Sequence, residues 1–198
     1  MKQFYFSILL TFAFSFFGIS QVVLPVDFES TTANYNVVGF GGVDVAVEAN
    51  PDASGINTSN TVVRSTKTAG AEFWAGAEMS LDATIDFSTS EKISINTWSP
   101  KADIPVRLKL ENASGGFVEL DVNTTVTNQW ETLTWNFTGQ TAGMNFNKVV
   151  VFFEFVPGLG GDGSTYYYDN IEVVAPAPDP VVLPVDFEST TANYNVVG

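Results

Sequence analysis

Short runs of alternating apolar and polar residues constrain the fold of this chain more than any other feature. Clusters of Gly, Asn, Asp, Pro and Ser interrupt these runs, and none keeps the helical spacing of apolar residues that a stable helix needs. The predicted strands are "LPVDFE", "VDVAVEA", "TVVRSTK", "FWAGAEMSL", "KISINTW", "PVRLKLE", "GFVELDV", "ETLTWNF", "KVVVFFEF" and "TYYYDNIEVV". Such short strands with frequent turns predict an all-β fold, an antiparallel β-sandwich of the jelly-roll type.

The start of the chain has the pattern of an export signal. Lys2 precedes the continuous apolar run "FYFSILLTFAFSFFG", and the small residues Gly18 and Ser20 stand before a predicted cleavage at Gln21. The run is too short to span a bilayer comfortably, and its polar exit is typical of a cleavage site. We therefore expect residues 1–20 to be a signal peptide, an extracellular location (secreted or at the cell surface), and no membrane contact after cleavage.

One segment occurs twice, letter for letter. "VVLPVDFESTTANYNVVG" stands at Val22–Gly39 and again at residues 181–198, directly after the Pro/Ala spacer "APAPDP" at residues 175–180. The pattern predicts a β-sandwich domain at residues 21–174, a linker, and the truncated start of a second identical module. Further modules of the same chain are then expected partners. In the alternative, the second copy folds back as an extra strand of the first sandwich.

Composition argues against several classes of function. The chain has no Cys, so the domain must fold by burying a core without disulfides. Its formal charge of −14, with only 8 Lys and Arg, disfavours nucleic acid and anionic membranes as partners. It has no His, the commonest general base. We therefore expect no catalytic residues and no enzyme activity, with a small lyase or hydrolase that uses acidic residues as an alternative.

Strand alternation places two tryptophans on charged faces. Trp98 of "KISINTW" shares a face with Lys92 and Asn96, and Trp74 of "FWAGAEMSL" shares a face with Glu78. An exposed ring can cover the apolar C–H face of a sugar while neighbouring polar groups bond its hydroxyls. Alternatively, long Lys and Arg side chains or a crossing loop cover the rings for packing alone.

Two other strands show clear faces. Arg107, Lys109 and Glu111 form the charged side of "PVRLKLE". Trp135 of "ETLTWNF" shares its face with apolar residues, which predicts a core position. The net negative charge favours a neutral ligand, but Lys92, Arg107 and Lys109 could also pair with an acidic sugar, which remains the alternative ligand.

Acidic residues near both ends of the domain indicate a Ca²⁺ site. "DFE" contains Asp27 and Glu29, and "YDN" contains Asp169. The first and last strands of a sandwich are commonly neighbours, so Glu29 and Asp169 would repel each other unless a cation joined them, and oxygen ligands suit Ca²⁺. Loop carbonyls, or Asn50 and Asp52 of "EANPDASG", could complete the shell. Isolated surface acids are the alternative reading in so acidic a chain.

The whole domain also resembles a known family. It is similar to the jelly-roll carbohydrate-binding modules of secreted bacterial polysaccharide-degrading proteins, in the broad group that includes family 4 and family 9 modules. The segments that carry the likeness are "LPVDFE", "NPDASGINTS", "WAGAEMSLDATIDFSTSEKISINTWSPK", "PVRLKLEN", "WETLTWNF", "KVVVFFEF" and "YYYDNIEV". The resemblance implies a galactose-binding-like sandwich and a structural Ca²⁺ with Glu29 and Asp169 as ligands. Asn170 departs from the pattern, which more usually has a second Asp at this position.

The same resemblance implies a glycan-facing role for Trp98, with Arg107, Lys109 and Glu111 beside it, and makes Trp74 a second candidate. The function implied is non-catalytic binding of a polysaccharide, a β-glucan or a similar plant or algal glycan, by a module attached to a glycoside hydrolase or similar enzyme. A structural repeat of a cell-surface adhesin is the alternative from a different class.

Overall fold

The computed structural model describes residues 20–176, and within them every regular element is a β-strand. The strands are β1 (Val38–Phe40), β2 (Val43–Ala49), β3 (Thr61–Lys67), β4 (Gly76–Ser80), β5 (Lys92–Trp98), β6 (Pro105–Asn112), β7 (Phe117–Asn123), β8 (Trp130–Asn136), β9 (Phe146–Phe153) and β10 (Thr165–Val173). The predicted signal peptide up to residue 19, the linker from residue 177 and the second copy of the repeat lie outside this range. Within it, no helix is long and apolar enough to cross a membrane.

The ten strands form two five-stranded antiparallel sheets. The front sheet has the order β1-β4-β9-β6-β7, and the back sheet has the order β2-β3-β10-β5-β8. Consecutive strands often belong to different sheets, so most of the pairing joins distant parts of the chain. The prediction of an antiparallel jelly-roll sandwich is confirmed.

Nine of the predicted strands are present, with bounds that match or shift by a few residues, but "LPVDFE" is wrong as a strand. In this segment only Val26 pairs, through a two-way bridge to Ile171 with N···O distances of 2.9 Å in both directions. Pro25 has no N–H to donate, and Phe28 has a φ of 56°, so the segment cannot continue as a ladder. The bridge nevertheless places the start of the domain beside β10, as expected for the paired termini.

The core lies between the sheets and follows the period-two pattern of the strands. Ile93 and Ile95 of β5, and Leu108 and Leu110 of β6, are buried and face the opposite sheet. Trp135 is also fully buried, which confirms its predicted position, and its Nε1 donates to the Val106 carbonyl at 3.2 Å. Its polar group is therefore satisfied inside the core.

A buried lysine joins β3 to the front sheet. Lys67, the last residue of β3, points inward and is 1% exposed. Its Nζ donates to the carbonyls of Phe73 (3.2 Å), Phe153 (3.2 Å) and Glu154 (2.8 Å). Burial lowers the pKa of Lys67, while the charge of Glu154 acts in the opposite direction. One ammonium group thus fixes the loop before β4 and the end of β9.

This arrangement predicts that Lys67→Met is strongly destabilising. The substitution keeps most of the apolar stem but leaves three carbonyls, two of them buried, without their donor. We expect this to lower the free energy of unfolding by about 3 kcal/mol. Urea denaturation measures the change. Lys92→Met, on the exposed Lys92 of β5, is the matched control, and equal stability of the two variants would contradict the role given to Lys67.

Candidate functional site

The outward face of the front sheet carries three rows of side chains that cross the strands. The register of the paired strands places alternate residues of each strand side by side on this face. In the order β1, β4, β9, β6 and β7, the first row is Phe40, Gly76, Phe152, Arg107 and Asp121, and the second row is Val38, Glu78, Val150, Lys109 and Glu119. The third row begins on β4 and is Ser80, Lys148, Glu111 and Phe117.

An open groove of about 410 Å³ lies on these rows. Two loop residues, Trp74 before β4 and Phe155 after β9, add their rings beside the first row. The lining residues are Phe40, Trp74, Glu78, Arg107, Lys109, Glu111, Glu119, Val150, Phe152 and Phe155. The groove therefore combines an aromatic side with a charged side.

The aromatic side is a continuous series of rings. Trp74 stacks on Phe40 with centroids 6.3 Å apart and planes 17° apart, Phe40 meets Phe152 edge-on at 5.6 Å, and Phe152 meets Phe155 at 5.3 Å. Gly76 makes room for them, because a Cβ there would lie 2.7 Å from Phe152 and 3.0 Å from Phe40. Trp74 is 42% exposed, so part of its ring remains available to a ligand.

Arg107 connects the aromatic and charged sides. Its guanidinium lies 3.7 Å from the centroid of the Phe155 ring. It also donates two hydrogen bonds to the Asp121 carboxylate, at 2.7 and 2.8 Å, and one to Glu119 at 2.8 Å. The hydrogen bonds to Asp121 contribute most to raising the pKa of Arg107. These contacts hold the guanidinium in one orientation beside the groove.

The two lysines of this face are paired with carboxylates in the same way. Lys109 Nζ lies 2.6 Å from Glu111, and Lys148 Nζ lies 3.1 Å from Glu78 and 3.7 Å from the second oxygen of Glu111. A carboxylate has about four lone-pair sites, so each of these acids can accept further hydrogen bonds. The groove thus offers ring faces to C–H groups and fixed acceptors to hydroxyl groups.

The structure brings together four of the six residues predicted for ligand contact, Trp74, Arg107, Lys109 and Glu111. Trp98 and Asn96 lie elsewhere, on β5 of the back sheet. The expectation that Trp98 lies beside Arg107, Lys109 and Glu111 is therefore wrong. The reason is topological, because β5 and β6 are consecutive in the chain but belong to different sheets.

Trp98 lies beneath a crossing loop formed by residues 50–60. Its Nε1 donates to the Asp52 carboxylate at 3.1 Å, and the Nε1 of Trp130 donates to the Asp52 carbonyl at 2.7 Å. Asn96 accepts a hydrogen bond from Thr132 at 2.8 Å. Both polar groups thus have partners within the chain, and the indole of Trp98 holds the loop on the back sheet.

Sequence reasoning missed the aromatic residues Phe40, Phe152 and Phe155 of the groove and its acid Glu119. It placed Glu78 on the face of Trp74 but not among the predicted contact residues. Phe152 belongs to a strand that is apolar on both faces, so alternation alone could not tell which of its rings points outward. The pairing of β6 with β7 was the one available signal, because a hairpin between them places Glu119 opposite Lys109.

A second polar cluster lies where the start of the domain, β10 and the 50–60 loop meet. Asp169 on β10 is completely buried, and this burial raises the pKa of Asp169 to about 6. Ser59 and the Asn170 backbone lower the pKa, and the charge of Glu29 raises it. The amide of Asn57 lies near this carboxylate without completing a hydrogen bond to it.

Glu29 faces the same loop. It accepts hydrogen bonds from the Asn60 side chain (2.7 Å) and from the backbone N–H of Thr61 (2.7 Å), and the Asn60 bond contributes most to lowering the pKa of Glu29. Burial raises the pKa of Tyr35, and the charges of Asp27, Glu29 and Asp169 add to this effect. The three acids predicted from the sequence therefore share one neighbourhood.

The other predicted metal ligands have structural contacts of their own. Asp27 is exposed, and its Oδ1 accepts the N–H of Glu29 at 3.1 Å. Asn50 donates to the Ser59 carbonyl and accepts from the Asp52 N–H, so it shapes the 50–60 loop. Residues 20–176 contain no group of three or more His, Cys, Asp or Glu that could hold a metal. Ca²⁺ still fits the chemistry of this neighbourhood, because the carboxylates of Glu29 and Asp169 can be complemented by amide, hydroxyl and carbonyl oxygens.

Comparisons with known proteins agree on the fold. No protein-family model and no curated protein matches the chain. Among solved structures, it is similar to an exo-β-agarase (TM-score 0.58, 12% identity), covering 80% of this chain but 25% of the agarase. It is also similar to the family 11 carbohydrate-binding module of the Clostridium thermocellum cellulase Lic26A-Cel5E (TM-score 0.52, 16% identity, 80% and 96% of the two chains).

A third similar structure is the family 61 module TmCBM61 in complex with β-1,4-galactotriose (TM-score 0.51, 17% identity, 79% and 99% of the two chains). Identities this low establish a shared fold. The expected similarity to carbohydrate-binding modules is therefore confirmed for the fold, and membership of family 4 or 9 stays a prediction.

The buried Asp169 gives a prediction for the metal-free protein. Its pKa is 3.8 ordinarily and about 6 when folded, so the folded state holds the proton more tightly. The resulting stability is fully present below pH 3.8 and is lost as the pH rises through about 6. In the presence of a chelator, we expect wild type to lose about 3 kcal/mol relative to Asp169→Asn between about pH 3.5 and pH 7.

The free energy of unfolding of both proteins, measured across this pH range, checks the expectation. The comparison isolates the titration of Asp169, since every other carboxylate titrates in both proteins. Parallel stability curves would contradict the raised pKa of Asp169.

Proposed function

We propose that this chain is a non-catalytic polysaccharide-binding module and that the groove of the front sheet is its binding site. The observation that carries the proposal is the series of rings from Trp74 to Phe155 beside fixed hydrogen-bonding groups. Sugars present apolar C–H faces and hydroxyl edges, so a surface that offers rings and carboxylates side by side complements both.

Trp74 supplies the main platform. Its stacking on Phe40 fixes the ring plane, and a sugar that covers the exposed part of the ring removes apolar surface from water. Glu78, Glu111 and Glu119 accept hydrogen bonds from hydroxyls. Lys148 holds Glu78, Lys109 holds Glu111 and Arg107 holds Glu119, and these cations donate where geometry allows.

The groove is suited to holding a chain rather than cleaving it. Glycoside hydrolysis needs one carboxylic acid to donate a proton and a second carboxylate at a fixed separation across the scissile bond. Here the acids of the face are engaged in ion pairs with Arg107, Lys109 and Lys148. Such ion pairs keep the carboxylates charged and in fixed positions, where they can accept hydrogen bonds from sugar hydroxyls.

The similar structures include a module in complex with β-1,4-galactotriose and a module of a cellulase. These names support a neutral β-linked glycan, such as a β-glucan or a related plant or algal polysaccharide. We further propose that the protein is bacterial, extracellular, and part of a tandem array joined to a polysaccharide-degrading enzyme. Linked copies would raise avidity, because the second binding event becomes intramolecular.

We also propose that Glu29 and Asp169 hold a structural Ca²⁺, with Asp27 and Asn50 near the site. When bound, the ion supplies positive charge that offsets the two carboxylates. The residues around it keep the start of the domain, β10 and the 50–60 loop together through the Val26–Ile171 bridge and the Glu29 hydrogen bonds.

Trp74→Ala tests the binding site. We expect it to weaken binding to the polysaccharide about tenfold or more, because it removes an exposed aromatic anchor. Affinity electrophoresis in gels that contain agarose, β-1,4-galactan or mixed-linkage β-glucan measures the effect, and the melting temperature checks the fold. Trp98→Ala is the comparison variant, and it should bind like wild type if the groove is the site. Weaker binding of a folded Trp98→Ala protein would instead favour a glycan contact of Trp98 and Asn96 on the back sheet.

Three outcomes would contradict the proposal. Unretarded migration of wild type in every gel would favour the structural adhesin repeat. If the Trp74→Ala variant is retarded in the gel as strongly as wild type, the groove is not the binding site. Release of reducing or unsaturated sugar by the pure protein would overturn its non-catalytic character.

The calcium proposal predicts a stability change. Saturating Ca²⁺ should raise the melting temperature by roughly 5–10 °C through preferential binding to the folded state, and EDTA should reverse it. Glu29→Gln should abolish the shift, whereas Glu72→Gln, at an exposed acid before β4, should preserve it. If Ca²⁺ leaves the melting temperature of wild type unchanged, the proposed Ca²⁺ site at Glu29 and Asp169 is wrong.

A further inference from the structure

We infer that Phe117 is a second aromatic platform of the groove, at the end opposite Trp74, and that the ligand is the interior of an uncharged glycan chain that crosses the front sheet. This inference rests on the proposed function. It adds a further contact residue and a required chain length, and it derives the neutral charge of the ligand from the ion pairs of the face. The observations that carry it are the position of Phe117, the contacts of its ring, and the balance of charge on the face.

Phe117 begins β7, the edge strand of the front sheet, and its ring is 53% exposed. It pairs directly with Glu111 of β6, so its side chain stands on the same face as the groove. Lys109 Nζ lies 4.3 Å from the centroid of the Phe117 ring. Two residues that line the groove thus adjoin this ring, and its remaining surface is open.

The two exposed rings define the length of the site. Trp74 lies on Phe40 of β1, the other edge strand, so the groove between Trp74 and Phe117 crosses the whole front sheet. Four strand spacings separate β1 from β7, which is about 19 Å. A disaccharide can engage one platform, whereas a longer chain can engage both at once. Both end rings are exposed, so the chain can continue beyond each of them.

The charges of the face select an uncharged chain. Its cations are Arg107, Lys109 and Lys148, and its acids are Glu78, Glu111, Glu119 and Asp121. Each of the three cations is already paired with at least one of these acids. An anionic sugar would have to displace a protein carboxylate from its cation and would meet the remaining acids, whereas hydroxyl groups use the lone pairs that the ion pairs leave free.

A single exposed aromatic residue is ordinary on a protein surface, and a lysine over its ring can serve only to shield an edge strand. The two roles predict different results. Shielding affects stability and aggregation alone. A platform affects binding, in a way that depends on the length of the ligand and on the presence of the ring.

The test measures binding of wild type, Phe117→Tyr, Phe117→Leu and Phe117→Ala by calorimetry, with a disaccharide and a hexasaccharide each from agarose, β-1,4-galactan and mixed-linkage β-glucan. For the glycan that wild type binds, we expect Phe117→Ala and Phe117→Leu to weaken hexasaccharide binding about tenfold, and disaccharide binding less than about twofold. Phe117→Tyr, which keeps the ring, should bind like wild type. Ile56→Ala, at an exposed apolar residue of the 50–60 loop, is the control and should also bind like wild type.

The charge class is tested with the same polysaccharide and its C6-oxidised form, which carries carboxylates. We expect the oxidised polymer to bind at least about tenfold more weakly. The inference would be overturned if Phe117→Ala bound both oligosaccharides equally more weakly, or bound both as tightly as wild type. It would also be overturned if wild type bound the oxidised polymer more tightly. The groove would remain the proposed site in each of these cases. If wild type binds none of the glycans, the proposed function fails and the inference fails with it.

Discussion

The buried ammonium of Lys67 fixes the part of the molecule on which the candidate site depends. Its three carbonyl partners belong to Phe73, Phe153 and Glu154, and these residues adjoin Trp74 and Phe155 in the chain. The two loop rings of the groove are therefore attached to backbone that the ammonium holds. A charged donor inside the sandwich is costly to bury, but three acceptors at one point compensate for that cost and connect β3 of the back sheet to the front sheet.

The register of the front sheet then converts sequence alternation into a surface. On β6 and β9, inward residues fill the core, and outward residues form the three rows. Gly76 is the exception that completes the first row, because the absence of its side chain lets the rings of Phe40 and Phe152 approach each other. Stacking and ion pairing on neighbouring strands thus depend on the same register that builds the core.

Much of this architecture could be predicted from the sequence, because alternation is a local property. The bounds of β2, β3 and β5, the core position of Trp135, and the charged face of β6 all follow from period two. Strand order is not local. The sequence alone could not show that β5 and β6 separate into different sheets, so Trp98 was expected beside Arg107 instead of on the opposite side of the sandwich.

Trp74 and Trp98 show the limit of the alternation argument most clearly, since alternation placed both on polar faces although Trp74 lies in the loop before β4. The difference between them comes from the 50–60 loop, which accepts the indole N–H of Trp98 through Asp52. The same loop lies against Asp169, whose pKa is raised, so one loop contacts both this carboxylate and Trp98. The chain thus uses a loop to bury polar groups on the back sheet, while the front sheet, whose ion pairs need no cover, stays open to a ligand.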